Sequence, residues 1–574
     1  MASNVHSVSA SLPTDYAIVS SYAATHSAQR NSGVEQNTES ADAEPSYTSE
    51  YHVARRPSRP SMAPPSFLKA PQAGGSVMET TPLLLSTQAE PPVPRIEECD
   101  DTDDGQLSTT AMYLSELRIL TRYSLPVFGT HLLEYSLIMA PVLSIGHLSS
   151  GTTALAGITL GSMTANVSGF SILQGFVSAL DTVLPPAWTS SQPTLVGLWS
   201  QRMTVVMAAA LIPMYFIWFN AELILLGLKQ DPEVAHLAAL YLKWVSFGLP
   251  AYAFNLISRR YFQSQGLFAV PTRIIIVVAP INALLNYFLV WGPEPFRLGF
   301  IGAPIATACS FNLVALLNIC YGVFVAPRTA WHPISRRSFT SLGFILHLGL
   351  SGVGQTASEW WAWELVALAA SLMGPVALAT QSILLSSAST TYQAPFALSV
   401  ATSVRIGNLL GEFNSRRARV AAHTSLFMAL AIGLLCSALF MGFRNSWAYL
   451  FNDDAEVVQQ VAATLPLVAL FQVFDGTSGV AGGILRAKGK QMTGALLNLS
   501  AYYVIGIPFG AYLAFTWDYG LHGLWIGLTV SLVYCAVFGT LLCVRTDWDR
   551  EVRKVVARIN AERKPSINHD EQRV

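Results

Sequence analysis

Five carboxylates stand where the chain is otherwise apolar: Glu134, Asp181, Glu359, Glu364 and Asp475. An ionisable side chain at bilayer depth is costly unless it is paired or hydrated, so each is a functional candidate. Glu359 and Glu364 frame the run Glu359-Trp360-Trp361-Ala362-Trp363-Glu364, and five helical residues turn through roughly 140°. That spacing predicts that the two do not share a face. One is expected to point into a central cavity, for which we take Glu359, while the other braces the C-terminal half from within. A carboxyl shielded from bulk water can take and release protons near physiological pH, and its anion attracts an organic cation. Where proton and cation exclude one another from one site, exchange follows. Trp360, Trp361 and Trp363 can present aromatic faces to a cationic or planar molecule, or can simply anchor and pack. Asp475 has only Gln472, Thr477 and Ser478 as polar neighbours along the chain. Glu134 can pair with His131 or His147 on its own helix, and Asp181, beside Thr182, can cap a helix end.

Such residues need apolar helices to hold them. The chain of 574 residues is 52% hydrophobic and only 12% charged, with a mean hydropathy of +0.41, which is a membrane-protein composition. Crossing a bilayer takes about 20 mostly apolar residues, and twelve such runs follow Tyr123. The first half runs from Leu125 to Ser149, Leu155 to Leu184, Met203 to Phe219, Leu237 to Ile257, Phe268 to Trp291 and Ile301 to Val325. The second runs from Phe339 to Met373, Val376 to Val404, Val420 to Phe443, Val457 to Leu485, Thr493 to Thr516 and Leu521 to Val544. This divides the chain into a tail (1–110), two six-helix lobes (111–330 and 331–546) and a C-terminal tail (547–574). The first tail, rich in Ser, Thr, Pro and acids, is expected to be disordered and cytosolic. It has no apolar core of signal-peptide length near Met1, so the first span is expected to serve as the targeting signal.

Loop charge sets the orientation. Arg118 and Arg122 precede the first span, Arg259 and Arg260 follow the fourth, and Arg328, Arg336 and Arg337 join the halves. Arg405, Arg416, Arg417 and Arg419, then Arg486, Lys488 and Lys490, and finally Arg545, Arg550 and Arg553 fall on the same side. The opposite loops show little beyond Lys229, Arg297 and Arg444. The positive-inside rule places both termini in the cytosol. Nucleic-acid binding is not suggested, since the net charge is −1 and basic residues concentrate in short loops between apolar runs. The six cysteines show no pattern for a disulfide framework or a zinc site, and no cofactor is expected. No GxxxxGK[ST] loop signals an ATP-driven pump, and no selectivity-filter loop or Arg-rich sensor helix signals a channel. Coupling to an ion gradient remains.

The chain also repeats itself. Asp231-Pro232-Glu233-Val234 recurs as Asp454-Ala455-Glu456-Val457 at an offset of 223. Gly266 matches Gly489 at the same offset, while Gly299 and Gly302 match Gly520 and Gly523 at 221. A repeat of six spans keeps its orientation, so the halves relate by a pseudo-two-fold along the membrane normal with a cavity between them. Prolines such as Pro126, Pro141, Pro280, Pro395 and Pro466 interrupt the spans, which suits bending as well as packing.

From Tyr123 to Val544 the chain resembles eukaryotic, fungal-like transporters of the multidrug and toxic compound extrusion (MATE) family. The residues that carry the likeness are Ser178-Ala179-Leu180-Asp181-Thr182, Arg259-Arg260 with Gln263 and Gln265-Gly266, and Glu359-Trp360-Trp361 with Glu364. Pro395-Phe396 through Arg405-Ile406-Gly407-Asn408, Gly483-Ile484-Leu485-Arg486, Asn498, Tyr502-Tyr503 and Gly506-Ile507-Pro508 continue it. The resemblance implies an all-α polytopic membrane protein of two six-helix lobes that is not an enzyme. It implies secondary antiport of organic cations, drugs or metabolites against protons, with sodium as the other candidate ion, and a coupling site at Glu359, Glu364 and Asp475. Gln381 joins the candidate binding set. The chain departs from the family pattern at Pro186 and Thr189 and has Ser386 where many animal members carry a third glutamate. Asp475 stands where those members commonly have Glu, and Glu134 is a candidate to replace a lost carboxylate.

Glu79-Thr80-Thr81-Pro82-Leu83-Leu84 fits an acidic dileucine sorting signal, so Glu79, Leu83 and Leu84 favour a vacuolar membrane over the plasma membrane. The expected partners are a small-molecule cation or amphiphile, protons and membrane lipid, with the protein as a monomer. A lipid-linked oligosaccharide flippase of the related superfamily would need a basic cavity, against which the acidic spans speak. A membrane-embedded acyltransferase would need a histidine with a partnered acid or serine, and His347, His423 and His522 lack that setting.

Overall fold

The structure, a computed structural model, describes residues 108–146, 151–451 and 454–563. The first tail with its sorting signal, and His147, lie outside the described residues. Helices dominate, in the order α1 (Thr109–Gly146), α2 (Thr153–Thr189), α3 (Leu195–Phe219), α4 (Pro232–Ser264), α5 (Ala269–Trp291) and α6 (Gly299–Phe324). There follow α7 (Leu342–Ser371), α8 (Pro375–Gly411), α9 (Ser415–Gly442), α10 (Ala455–Ala487), α11 (Gln491–Phe515), α12 (Gly520–Val544) and α13 (Trp548–Arg563). Among the described residues, nine of these are long and apolar enough to cross a membrane. Of the twelve expected spans, those matching α1, α7 and α8 are not among these nine. They carry Glu134, Glu359 and Glu364, which line the cavity described below.

The repeated landmarks have repeated geometry. Asp231 accepts hydrogen bonds from the backbone N–H of Glu233 and Val234 and so caps α4, and Asp454 accepts from Glu456 and caps α10. Gly266 and Gly489 take φ of 76° and 70°, and Gly299 and Gly520 take 60° and 53°. That left-handed region is open to glycine without steric cost, which is why these turns spell the repeat in glycine.

Within the first half α2 packs on α4, and α5 on α1 and α6; within the second, α10 packs on α8, α9 and α12. The halves meet where α2 crosses α7 and where α8 runs against α1 and α2. At the first crossing a Cβ on Gly175 would overlap the Val353 backbone, and one on Gly352 would overlap the Gly175 carbonyl. Small residues here let two backbones touch. The second-half core is built round Trp363, Phe471 and Trp525, whose ring centroids lie 5.3–5.7 Å apart in edge-to-face pairs.

The segment after residue 546 corrects the expectation of a C-terminal tail, because α13 is a packed helix. Trp548 and Val555 are buried with Leu120, Ile406 and Ile484, and Val552 and Ile559 pack on the same cluster. Near its far end, Arg202 of α3 donates two 3.0 Å hydrogen bonds to the Glu562 carboxylate, and Arg558 donates to the Thr182 carbonyl at 3.2 Å. The helix thus straps both halves at the end of the bundle that carries most of the arginines.

Candidate functional site

A cavity of about 470 Å³ lies between the halves, bounded by α1, α2, α4, α5, α6, α7 and α8. From α7 it receives Glu359, Trp360, Trp361, Trp363 and Glu364. Both glutamates border it, so the expectation of one carboxylate in the cavity and one turned away does not hold. Because α7 stands at the junction of the halves, open space reaches round it and admits residues well apart on its circumference. Among the described residues, no hydrogen bond or ion pair holds either carboxylate.

The tryptophans divide their work. Trp360 and Trp361 are each 38% exposed, and the Trp361 indole donates to the Val167 carbonyl across the halves at 3.2 Å. Trp363 borders the cavity with one edge and packs into the Phe471–Trp525 core with the rest. On the facing wall, α2 changes to π-helix from Asn166 to Phe170, which brings Asn166, Val167 and Phe170 to the cavity. Single π-turns inside α-helices are common at functional sites.

Glu134 sits on that wall in a closed arrangement. It accepts from the Arg259 guanidinium and lies 3.2 Å from His131 Nδ1. The His131 pairing was expected and the arginine was not. Arg259, read in the sequence as a loop charge, lies within α4, which continues to Ser264, and its side chain borders the cavity. Its neighbour Arg260, about 100° further round the helix, points elsewhere.

Arg260 and Arg486 both bind Asp181, at 3.0 and 3.3 Å, and the carboxylate is 1% exposed. Asp181 is therefore an ion-pair hub between the halves rather than a helix cap. Beside it Thr182 donates to the Arg486 carbonyl at 2.6 Å and accepts from Gln491 at 2.7 Å, while Thr189 donates to the Asn408 carbonyl at 2.8 Å. A second arginine cluster closes the same end. Glu116, fully buried in the part of α1 before the expected first span, accepts from Arg405 at 2.9 and 2.7 Å and from Arg417 at 2.6 Å. Burial alone would raise this carboxyl, but the hydrogen bonds and charges of Arg405 and Arg417 outweigh it and hold Glu116 below the usual carboxylate value.

Between cavity and hub lies a smaller space of about 70 Å³ bordered by Glu359, Tyr392, Ser478, Arg486 and Asn498. Glu359 therefore faces the large cavity on one side and Arg486 on the other. Asp475 is buried within electrostatic reach of Glu359, but neither space is lined by it. Gln381 is also away from the cavity, in the second-half core, where it accepts from the Trp525 indole at 2.9 Å.

Comparison with known proteins gives a consistent set of likenesses. The MatE family profile matches residues 126–288 and 353–512. An uncharacterized transporter of Schizosaccharomyces pombe is 39% identical over 437 residues, covering 76% of this chain and 80% of its own. Multidrug and toxin extrusion protein 1 of Danio rerio is 31% identical over 449 residues, covering 78% and 75%. The crystal structure of the eukaryotic MATE transporter AtDTX14 superposes with a TM-score of 0.74 at 30% identity, covering 78% of this chain and all of that one.

Proposed function

The chain belongs to the MATE family of multi-pass membrane transporters, and from that premise we propose that it is a secondary antiporter that exchanges organic cations, drugs or metabolites for protons by alternating access. The observation that carries this reading is the pair Glu359 and Glu364 on the wall of a cavity of about 470 Å³, beside three tryptophans and without a protein partner among the described residues. A carboxylate with no internal counter-charge at bilayer depth calls for an external one, either a proton or a cationic cargo.

The surrounding geometry supplies a route from occupancy to movement. Arg486 lies between Glu359 and Asp181 and interacts with both. A proton or a cation at Glu359 changes the field on Arg486, and with it the balance of the Asp181 hub that ties the halves together. Asp475, close to Glu359, couples its own charge to the same step. In this reading the arginine-rich end is cytosolic by loop charge, it is the closed end here, and the protein works as a monomer. With the dileucine pattern directing it to an acidic vacuole, lumenal protons leave as cargo enters, and the cargo is sequestered from the cytosol.

The test is uptake of labelled tetraethylammonium and rhodamine 123 into sealed vesicles under imposed pH or sodium gradients. We expect a pH gradient to drive accumulation and Glu359→Gln, at equal protein level, to abolish that gradient-driven accumulation, as expected for loss of a coupling group. Accumulation that ignores both gradients, or that survives Glu359→Gln, overturns the reading.

A further inference from the structure

The two walls of the cavity differ in chemistry. The α7 wall offers indole faces and two carboxylates that have no hydrogen-bond or ion-pair partner among the described residues. The opposite wall, from α1 and α4, offers a guanidinium. Arg259 meets Glu134 through Nη2, and among the described residues its Nε and Nη1 have no hydrogen-bond partner. The side chain is only 13% exposed and the space it borders is the cavity. The pair with Glu134 answers the charge of Arg259 but not its hydrogen-bonding capacity, and a planar guanidinium with free donors matches a carboxylate.

Glu134 also limits what that donor set can attract. With the guanidinium already neutralised, and two open carboxylates across the cavity, a lone anion gains little by entering. An anionic group gains entry when the same molecule carries a cation that Glu359, Glu364 and the tryptophans draw in. We propose that the cavity selects amphoteric organic molecules, holding their cationic or planar part on the α7 wall and a carboxylate on Arg259. The proposal rests on the cavity being the cargo site.

Rhodamine 110, with a free carboxylate, and rhodamine 123, its methyl ester, share one cationic ring system and separate the two readings. Binding to the purified full chain is followed by fluorescence anisotropy. The wild-type protein is expected to bind rhodamine 110 about tenfold more tightly, the effect of one charge-assisted hydrogen-bonded contact. The double variant Glu134→Gln with Arg259→Gln keeps the net charge and removes the charged guanidinium fork, and the ratio should fall to about one. Arg259→Lys keeps the ion pair but loses the planar fork, so it decides the matter if the double variant does not fold, and its ratio should fall likewise. Equal binding of the two dyes by the wild type, or a preference that survives these substitutions, overturns the proposal while leaving the cavity as a cargo site. Binding of neither dye overturns the cargo site and this proposal together.

Discussion

Asp181→Asn removes the charge that joins Arg260 of the first half to Arg486 of the second. The variant keeps the shape of the side chain and leaves two guanidiniums, 8% and 12% exposed, without their shared counter-charge. Breaking a buried ion pair by taking away one partner costs about 3–5 kcal/mol. Arg260 retains Gln263 at 3.1 Å and Arg486 retains Ser399 at 2.9 Å, so the lower end, about 3 kcal/mol, applies. If the hub exists only while the halves are closed at this end, that loss falls on one conformer and moves the equilibrium by a factor of about 10². Nitroxide labels on Ser191→Cys and Arg419→Cys, exposed sites on the two halves, in a background lacking the native cysteines, read the separation by electron–electron resonance. The expected result is a longer-distance population that grows at the expense of the wild-type peak. An unchanged distribution, with only a lower melting temperature, would show the pair to be a static staple and refute the reasoning.

Glu116→Gln leaves Arg405 and Arg417 buried without their carboxylate, and the melting temperature in detergent should fall by the equivalent of about 3–5 kcal/mol. Because the folded Glu116 carboxyl is held below its usual value, its stabilisation is complete above that usual value and is lost as pH falls through the lowered one. Acidification through that window should therefore destabilise the wild type more than the Gln variant, and parallel pH profiles would refute the assignment. Gly352→Ala places a methyl group against Ser178 and the Gly175 carbonyl and should cost about 1–3 kcal/mol by overpacking. Gly343→Ala on the same helix meets nothing and should be neutral or slightly stabilising, so equal melting temperatures for the two would contradict the close crossing.

What the sequence showed, it showed through local chemistry. Charges inside apolar runs mark Glu359 and Glu364 whatever the fold, and the twin caps at Asp231 and Asp454 announce a duplication because a cap needs only its own first turn. Distant partners left no such trace. Glu134 finds Arg259, separated by 125 positions, and Glu116 finds Arg405 and Arg417, 289 and 301 positions away. Adjacent arginines at 259 and 260 read as one loop feature, yet the helix sends one into the cavity and the other to Asp181. The strap α13 was legible in the spacing of Trp548, Val552, Val555 and Ile559, but its many charges hide that stripe when only mean hydropathy is weighed.

The touching backbones at Gly175 and Gly352 bring the halves into direct contact at one point, and a contact that persisted while the halves moved would be their pivot. Gly352 lies seven positions before Glu359 on α7, and Gly175 lies six before Asp181 on α2, so at about 1.5 Å per residue the contact stands some 10 Å from each. A body pinned between its two working ends behaves as a lever on a fulcrum: prising the arginine end apart squeezes the tryptophan-lined end shut. The chain would then need no separate valve against leakage, since a passage open to both sides at once would require that pivot to break.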